Sequence, residues 1–379
     1  MKEKDVKFIA YYYPQFHTIK ENDMWWGENF TDWIYVKNAK PLFEKHYQPR
    51  IPLNDNYYNL SESRPIKWQV DLANQYGVSG FCFHHYWFDG KLLLEKPLEI
   101  FLQNKDFNIS FCISWANESW TRRWIGKNNV VLQEQQHTAD PKLWETHFNY
   151  LLPFLKDPRY IKIDNKPVFI IYQPNILKKC TEMFALWCKL AKDNGLNGIY
   201  FIATKNYEIL SKSYLENYSG LIKFQPREAN NSTAHRNKVF FSRFQFLRYL
   251  PLPIINLLTD IKHRITDYEV ISIDDIWDAI YKNVSDDSLG SHLNVFEGAF
   301  IEWDNTPRYN NKSKIFYDTT PQRFEEHVRK LISLLPEKNT FIFINAWNEW
   351  SESAYLEPDE KNGYSYLQAL KNIVDSINK

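Results

Sequence analysis

The sequence predicts an α/β protein built as a (β/α)8 TIM-like barrel, and three observations carry that prediction. Eight short apolar, β-prone runs recur along the 379 residues, most of them separated by a stretch of helical periodicity. Polar and aromatic residues gather just after several of those runs, where the C-terminal mouth of a barrel places its site. The longest irregular segments, 15–63, 117–138 and 225–295, follow the first, third and sixth runs on that same side. Such a barrel takes about 250 residues, so these insertions account for the surplus, and one catalytic domain over 1–379 is expected. A doubly wound open sheet is the rival architecture, but no glycine-rich phosphate loop follows any strand.

Taken in order, the first strand covers 6–13 and ends in three tyrosines. An amphipathic helix over 65–76 stops at Gly77, a residue suited to a helix C-terminus. Strands at 78–84 and 109–115 follow. A helix over 141–156 sets Leu143, Trp144, Phe148, Leu151 and Leu152 on one side. The fourth strand is 167–172, and the helix after it, 181–194, stops at Gly195. The fifth strand is 198–203 and a weaker sixth is 220–224. A helix over 273–282 precedes the seventh strand, 296–301; a helix over 321–335 leads to the eighth, 341–346; and 364–377 supplies the last helix.

Composition narrows the function. The 46 basic and 46 acidic residues cancel, which argues against nucleic acid as a partner, since that needs a basic face. Aromatics reach 17%, enough to line a sugar cleft, where pyranose C–H faces pack on rings, or simply to fill a core. The four cysteines show no metal-ligand spacing, and G-x-S-x-G, H-E-x-x-H and Walker-type motifs are missing. No cofactor or metal is expected. The sequence opens without a charged-then-apolar leader, so a cytoplasmic location is the expectation.

The chemistry concentrates in FIFINAWNEWSESAYLEP, residues 341–358. Its apolar half reads as a strand buried on both faces. Its second half crowds Glu349, Glu352 and Glu357 among Trp347, Trp350 and Tyr355. Side chains alternate along a strand, so two carboxylates three residues apart converge only if the chain curls at about Asn348. Paired carboxylates with aromatic platforms suit glycosidic bond chemistry, with Glu349 and Glu352 as catalytic candidates roughly 5–6 Å apart. Other strand ends add candidates for binding substrate. They are Tyr12, Gln15, His17 and Trp26 after the first strand and His85, Tyr86 and Trp87 after the second. Asn117, Glu118, Trp120 and Arg123 follow the third, Trp303 and Asp304 the seventh, and Asn348, Trp350 and Glu357 the eighth. His84 and His85 read as packed histidines rather than metal ligands, because no third ligand has recognisable spacing.

The segments YYYPQFHTIKENDMWWGENFTDW, PLFEKHYQPR, GFCFHHYWFDGK, WANESWTRRW, DPRYIKIDNKPVFIIY, WDNTPR and INAWNEWSESAYLEPD resemble the WbsX-like family. That family is labelled as glycosyltransferases or lipopolysaccharide biosynthesis proteins. It is similar to glycoside hydrolase family 99, endo-acting α-mannosidases and α-mannanases on a (β/α)8 barrel, chiefly through the last motif. The hydrolases carry N-E-W-H-E-G there. The resemblance implies that Glu352 is the acid/base and that Glu349 helps a substrate 2-hydroxyl attack the anomeric carbon, with net retention. Ser351 stands where those hydrolases have His, and Ser353 where they have Gly, the residue suited to positive φ.

Three functions stay open: a retaining endo-type hydrolase or transglycosidase on a bacterial surface glycan, a glycosyltransferase in O-antigen or capsule assembly, and a non-catalytic glycan-binding barrel. A nucleotide-sugar transferase needs a diphosphate or metal site, for which Asp304 alone offers itself. As acid, Glu352 is expected to have a raised pKa, supplied by Glu349 and by Trp350 or Tyr355. Residues 235–264 set six basic side chains among many apolar ones against a single Asp260. That stretch reads either as a lid or as a surface for peripheral contact with an anionic membrane.

Overall fold

The computed structural model describes residues 6–122, 127–206, 212–232, 268–284, 293–336 and 341–377. Eight strands form the predicted barrel: β1 (Lys7–Tyr12), β2 (Gly80–Phe88), β3 (Ser110–Trp115), β4 (Lys166–Ile171), β5 (Tyr200–Lys205), β6 (Gly220–Lys223), β7 (Asn294–Phe300) and β8 (Phe341–Asn345). Each pairs in parallel with the next, and β8 returns to β1, with Lys7 opposite Phe341 and Ala10 opposite Ile344. The closed sheet has no free edge, and its strands are apolar on both sides because one face fills the barrel and the other meets helices. Phe8 to Tyr12 are accordingly all buried.

A helix follows every strand: α1 (Ser63–Gln75), α2 (Lys96–Gln103), α3 (Pro141–Leu155), α4 (Cys180–Asp193), α5 (Lys212–Leu215), α6 (Ile273–Asn283), α7 (Pro321–Leu334) and α8 (Ser365–Ile377). Two of these helices have chemically marked starts. Asp140 caps α3 by accepting from the Lys142 N–H at 2.9 Å, and Thr320 caps α7 by accepting from that of Arg323 at 3.2 Å. A proline occupies the first turn of each. The sequence did not announce α2 or α5. The first has only eight residues, and the second only four, too few for a periodic pattern to stand out.

The insertions sit at the C-terminal mouth. The loop after β1 carries two short helices, Lys20–Trp26 and Trp33–Asn38. The loop after β3 carries a hairpin of Trp120–Arg122 with Lys127–Gln133. After β6 comes a short helix, Arg227–Asn231, and later a strand, Glu269–Ser272, that pairs in parallel with Lys314–Tyr317 from the loop after β7. The basic and apolar stretch 235–264 lies outside the described residues, as does Arg123. Among the described residues no helix is long and apolar enough to cross a membrane.

One close approach fixes how β6 and β7 meet below the site. A Cβ on Gly298 would lie 2.2 Å from the Lys223 carbonyl oxygen and 3.0 Å from the Gln225 nitrogen. Backbone cannot retreat there as a flexible side chain would. Gly298→Ala is therefore expected to lower stability by about 1–3 kcal/mol, read as a lower urea midpoint at unchanged slope. An unchanged midpoint would mean that the two strands can part.

Candidate active site

The curl expected after the last strand is present, and hydrogen bonds hold its shape. From β8 the chain forms a two-residue ladder, Asn348–Glu349 against Ala354–Tyr355, with a single 3-10 turn, Trp350–Glu352, between them. Ser353 closes the turn at φ 53°, the left-handed conformation that the glycine-to-serine difference made an issue. The Asn348 amide accepts from the Tyr13 N–H at 2.8 Å and donates to the Tyr13 carbonyl at 3.0 Å. It thus extends the β1–β8 pairing by one side chain. Asn117 does the same between the loops after β3 and β4, accepting from Gln173 N–H at 2.7 Å and donating to its carbonyl at 2.9 Å.

The result turns Glu349 and Glu352 into one cavity of about 250 Å³ at the barrel mouth. Its walls come from strand β2 and several loops: Tyr13 and Gln15, Trp26, Asp32, His84 and Tyr86, Glu118 and Trp120, Tyr172, Arg227 and Arg308. Arg308 ties the floor together. Its Nη2 donates to Glu349 at 3.0 Å, Asp32 at 2.8 Å and Gln15 at 3.2 Å, while Nη1 donates to Glu352 at 3.1 Å. One guanidinium spanning both glutamates keeps their carboxyls on the same side of the cavity. Arg227 donates from Nη2 to both oxygens of Glu352, at 3.1 and 3.2 Å. Ser351, in place of the hydrolases' His, donates to Asp32 at 2.9 Å.

Electrostatics separate the members of this cluster. Burial pushes Glu349 up to about 8; Arg308 and Arg227 pull it down, and Glu352 and Asp32 push it further up. His84, walled in by Tyr11, Tyr13 and Tyr172, falls to about 3 through burial and the nearby Arg227, so its ring is neutral. Trp350 and Tyr355 are engaged with each other and with Glu357. Their rings stack on each other at 3.7 Å, and the Trp350 indole N–H donates to Glu357 at 2.6 Å.

Of the candidate residues, Gln15, Trp26, Tyr86, Glu118, Trp120, Glu349 and Glu352 line the cavity. The other described candidates do not line it, and strand alternation explains three of them, Tyr12, His85 and Trp87. β2 runs on to Phe88, so His84 and Tyr86 point into the mouth, while His85 and Trp87 point out at α3. There Nε2 of His85 lies 2.9 Å from Nε2 of His147, and Trp87 stacks on the His147 ring. Tyr12 likewise faces α1 and donates to Gln69 at 2.6 Å, leaving Tyr13 to the cavity. His17 bonds the Pro14 carbonyl. Trp350 and Glu357 belong to a buried network beneath the curl, in which Glu357 also accepts from Tyr58 at 2.8 Å and Gln69 at 2.7 Å. Burial pushes Glu357 up to about 7, and those donors hold it from rising further. Asp304 accepts from Gln48 at 2.6 Å and meets His46 at 2.8 Å, tying the loop after β1 to the loop after β7. Burial raises its pKa, but His46, Arg50 and its other donors outweigh that and leave it below the usual range. Asn117 and Asn348 staple loops, and Trp303 walls a neighbouring pocket.

Sequence reasoning missed Tyr13, Asp32, Tyr172, Arg227 and Arg308. Asp32 and Arg308 lie within the motifs GENFTDW and WDNTPR. Arg227 lies outside every such motif, and only its place just after β6 pointed to it.

A family model described as Glycosyltransferase WbsX matches residues 8–370. The protein WxcX of Xanthomonas campestris pv. campestris, itself described as uncharacterized, is 31% identical over 367 residues, 96% of this chain and 49% of its own length. The chain thus spans about half the length of the curated relatives it matches. Among solved structures, a glycoside hydrolase-like protein superposes with a TM-score of 0.62 at 12% identity, covering 98% of this chain and 94% of that one. The GH99 endo-alpha-mannosidase of Bacteroides thetaiotaomicron superposes with a TM-score of 0.57 at 13% identity, covering 98% and 97%. At these identities the likeness is one of fold.

Proposed function

The chain belongs to the WbsX glycosyltransferase family, a family of carbohydrate-active enzymes, and from that premise we propose that it acts on glycosidic bonds of a bacterial surface polysaccharide by a retaining mechanism. The single observation that carries the reading is Arg308 joining Glu349 and Glu352 in the floor of an aromatic-walled cavity. Glu349 takes the proton of the substrate 2-hydroxyl as that oxygen attacks the anomeric carbon. Glu352 gives a proton to the departing glycosidic oxygen, and a 1,2-anhydro sugar results. Glu352 then takes a proton from an incoming hydroxyl, which opens the strained ring, and Glu349 returns its proton to the 2-oxygen. Net retention follows from the two displacements.

The electrostatics of Glu349 suit its role as the base. A base for a sugar hydroxyl works best with a pKa near the working pH, and burial sets Glu349 at about 8. Its raised pKa means that it is protonated below that value and ionised above it. Activity should therefore rise as pH rises through about 8. A profile flat or falling across that range would take the base role from Glu349.

The family's own name favours a second reading, in which the acceptor is a sugar rather than water. The same glutamate pair serves both. Purified protein is to be incubated with bacterial surface polysaccharides and no nucleotide sugar, and chain length followed by size exclusion. Shortening of a polymer supports hydrolysis or transglycosylation; turnover only after a nucleotide sugar is added would establish the transferase.

A further inference from the structure

A second pocket of about 180 Å³ lies against the first, and Arg227, Tyr309 and Glu352 line both. Glu352 is thus reached from two sides, whereas Glu349 lines only the main cavity. The far side is built from Trp303 and Phe316, both buried, with the half-buried amides Asn230 and Asn305. Arg227 lies over the Trp303 ring at 5.4 Å while it donates to Glu352, so the partition itself is an aromatic–cation–carboxylate stack. Flat apolar rings beside amide groups match the chemistry of a pyranose, which has C–H faces and hydroxyl edges.

We propose that this second pocket is the subsite for the sugar on the leaving side of the bond, and for the acceptor in the reverse sense. The assignment rests on the glycosidic reading above. A group that protonates a bridging oxygen must touch sugars on both sides of it, and Glu352 is the carboxyl placed to do so. Size points the same way. Small-molecule sites run to about 300–1,000 Å³; neither pocket alone reaches that range, and the two joined across Glu352 do. The main cavity then holds the sugar whose 2-hydroxyl faces Glu349, and a bound chain passes across Arg227.

The test separates the two sides by using donors that leave the second pocket empty. The probes are glycosyl fluorides of glucose, galactose and mannose in both anomeric forms, with free monosaccharides added as acceptors. Fluoride release reports the main cavity, and disaccharide formation reports an acceptor seated beyond Glu352. Asn230→Ala, at a half-buried position, and Phe316→Leu, a mild change at a buried one, should each lower the ratio of disaccharide to fluoride about tenfold. An unchanged ratio in both overturns the assignment. If wild type releases no fluoride, the glycosidic reading is at fault for these sugars, and binding decides the subsite. Calorimetry with the Glu349→Gln protein compares gluco-, galacto- and manno-configured disaccharides with their monosaccharides. Tighter binding of a disaccharide, lost in Asn230→Ala, supports the subsite; no advantage over the monosaccharide overturns it.

Discussion

Replacing Glu352 by Gln should lower turnover of a polysaccharide substrate by about 10²–10⁴-fold, the range supplied by a positioned acid or base. The amide keeps the shape of the side chain and one oxygen to accept from Arg308 and Arg227, so the floor of the cavity need not collapse. What it loses is the transferable proton. Glycan binding, measured by calorimetry on the same protein, should persist, which separates a catalyst from a binding barrel. The companion change, Glu349→Gln, should cost a similar factor for a different reason, because the 2-hydroxyl then has no base. The two differ in rescue. A glycosyl fluoride needs no protonation of its leaving group, so Glu352→Gln should regain much of its first-step rate with that donor, and Glu349→Gln should not. Retention of more than a tenth of polysaccharide turnover by Glu352→Gln would remove it from the mechanism.

The barrel was legible because buried parallel strands are apolar throughout and stand out as eight separate runs. That Glu349 and Glu352 open into one cavity was legible too, since two carboxylates three residues apart after such a run converge only if the chain curls. What the sequence concealed was which neighbours face inward. Read from sequence, the second strand ends at His84, yet β2 continues to Phe88, and period-two alternation divides His84 and Tyr86 from His85 and Trp87. The same rule divides Tyr13 from Tyr12. Once the strand's true length is known, the sorting follows from parity alone. The charge clamp was hidden for another reason. Arg308 pairs with Asp32 across 276 residues of sequence, and a buried ion pair of that span leaves no local pattern. Glu357 misled because a carboxyl inside a catalytic-looking motif can instead serve the motif's own scaffold, here through Trp350, Tyr58 and Gln69.

Arg308→Met should be the most damaging change to the fold of the site. The guanidinium is buried, and it meets Asp32, Glu349 and Glu352, which are buried as well. Removing one partner from a buried ion cluster leaves carboxyls with neither solvent nor counter-charge, at a cost of roughly 3–5 kcal/mol. Glu352 keeps Arg227, so the loss falls on Asp32 and Glu349. Arg308→Lys restores the charge but not the fork. A single ammonium cannot reach oxygens on three carboxyls and Gln15 together, so only part of the stability should return. The pH dependence has a definite sign. Arg308 lowers the pKa of Glu349, so without it that carboxyl must rise above about 8, and the rising limb of any residual activity should move to higher pH. Stability should respond in the opposite direction, because a protonated carboxyl no longer needs a counter-ion. The deficit of Arg308→Met against wild type should therefore be larger at pH above about 8 and shrink as the solution is acidified through that value. Urea unfolding at several pH values on both sides of it measures this directly. Equal midpoints for variant and wild type across that range would show that the three carboxyls do not depend on Arg308.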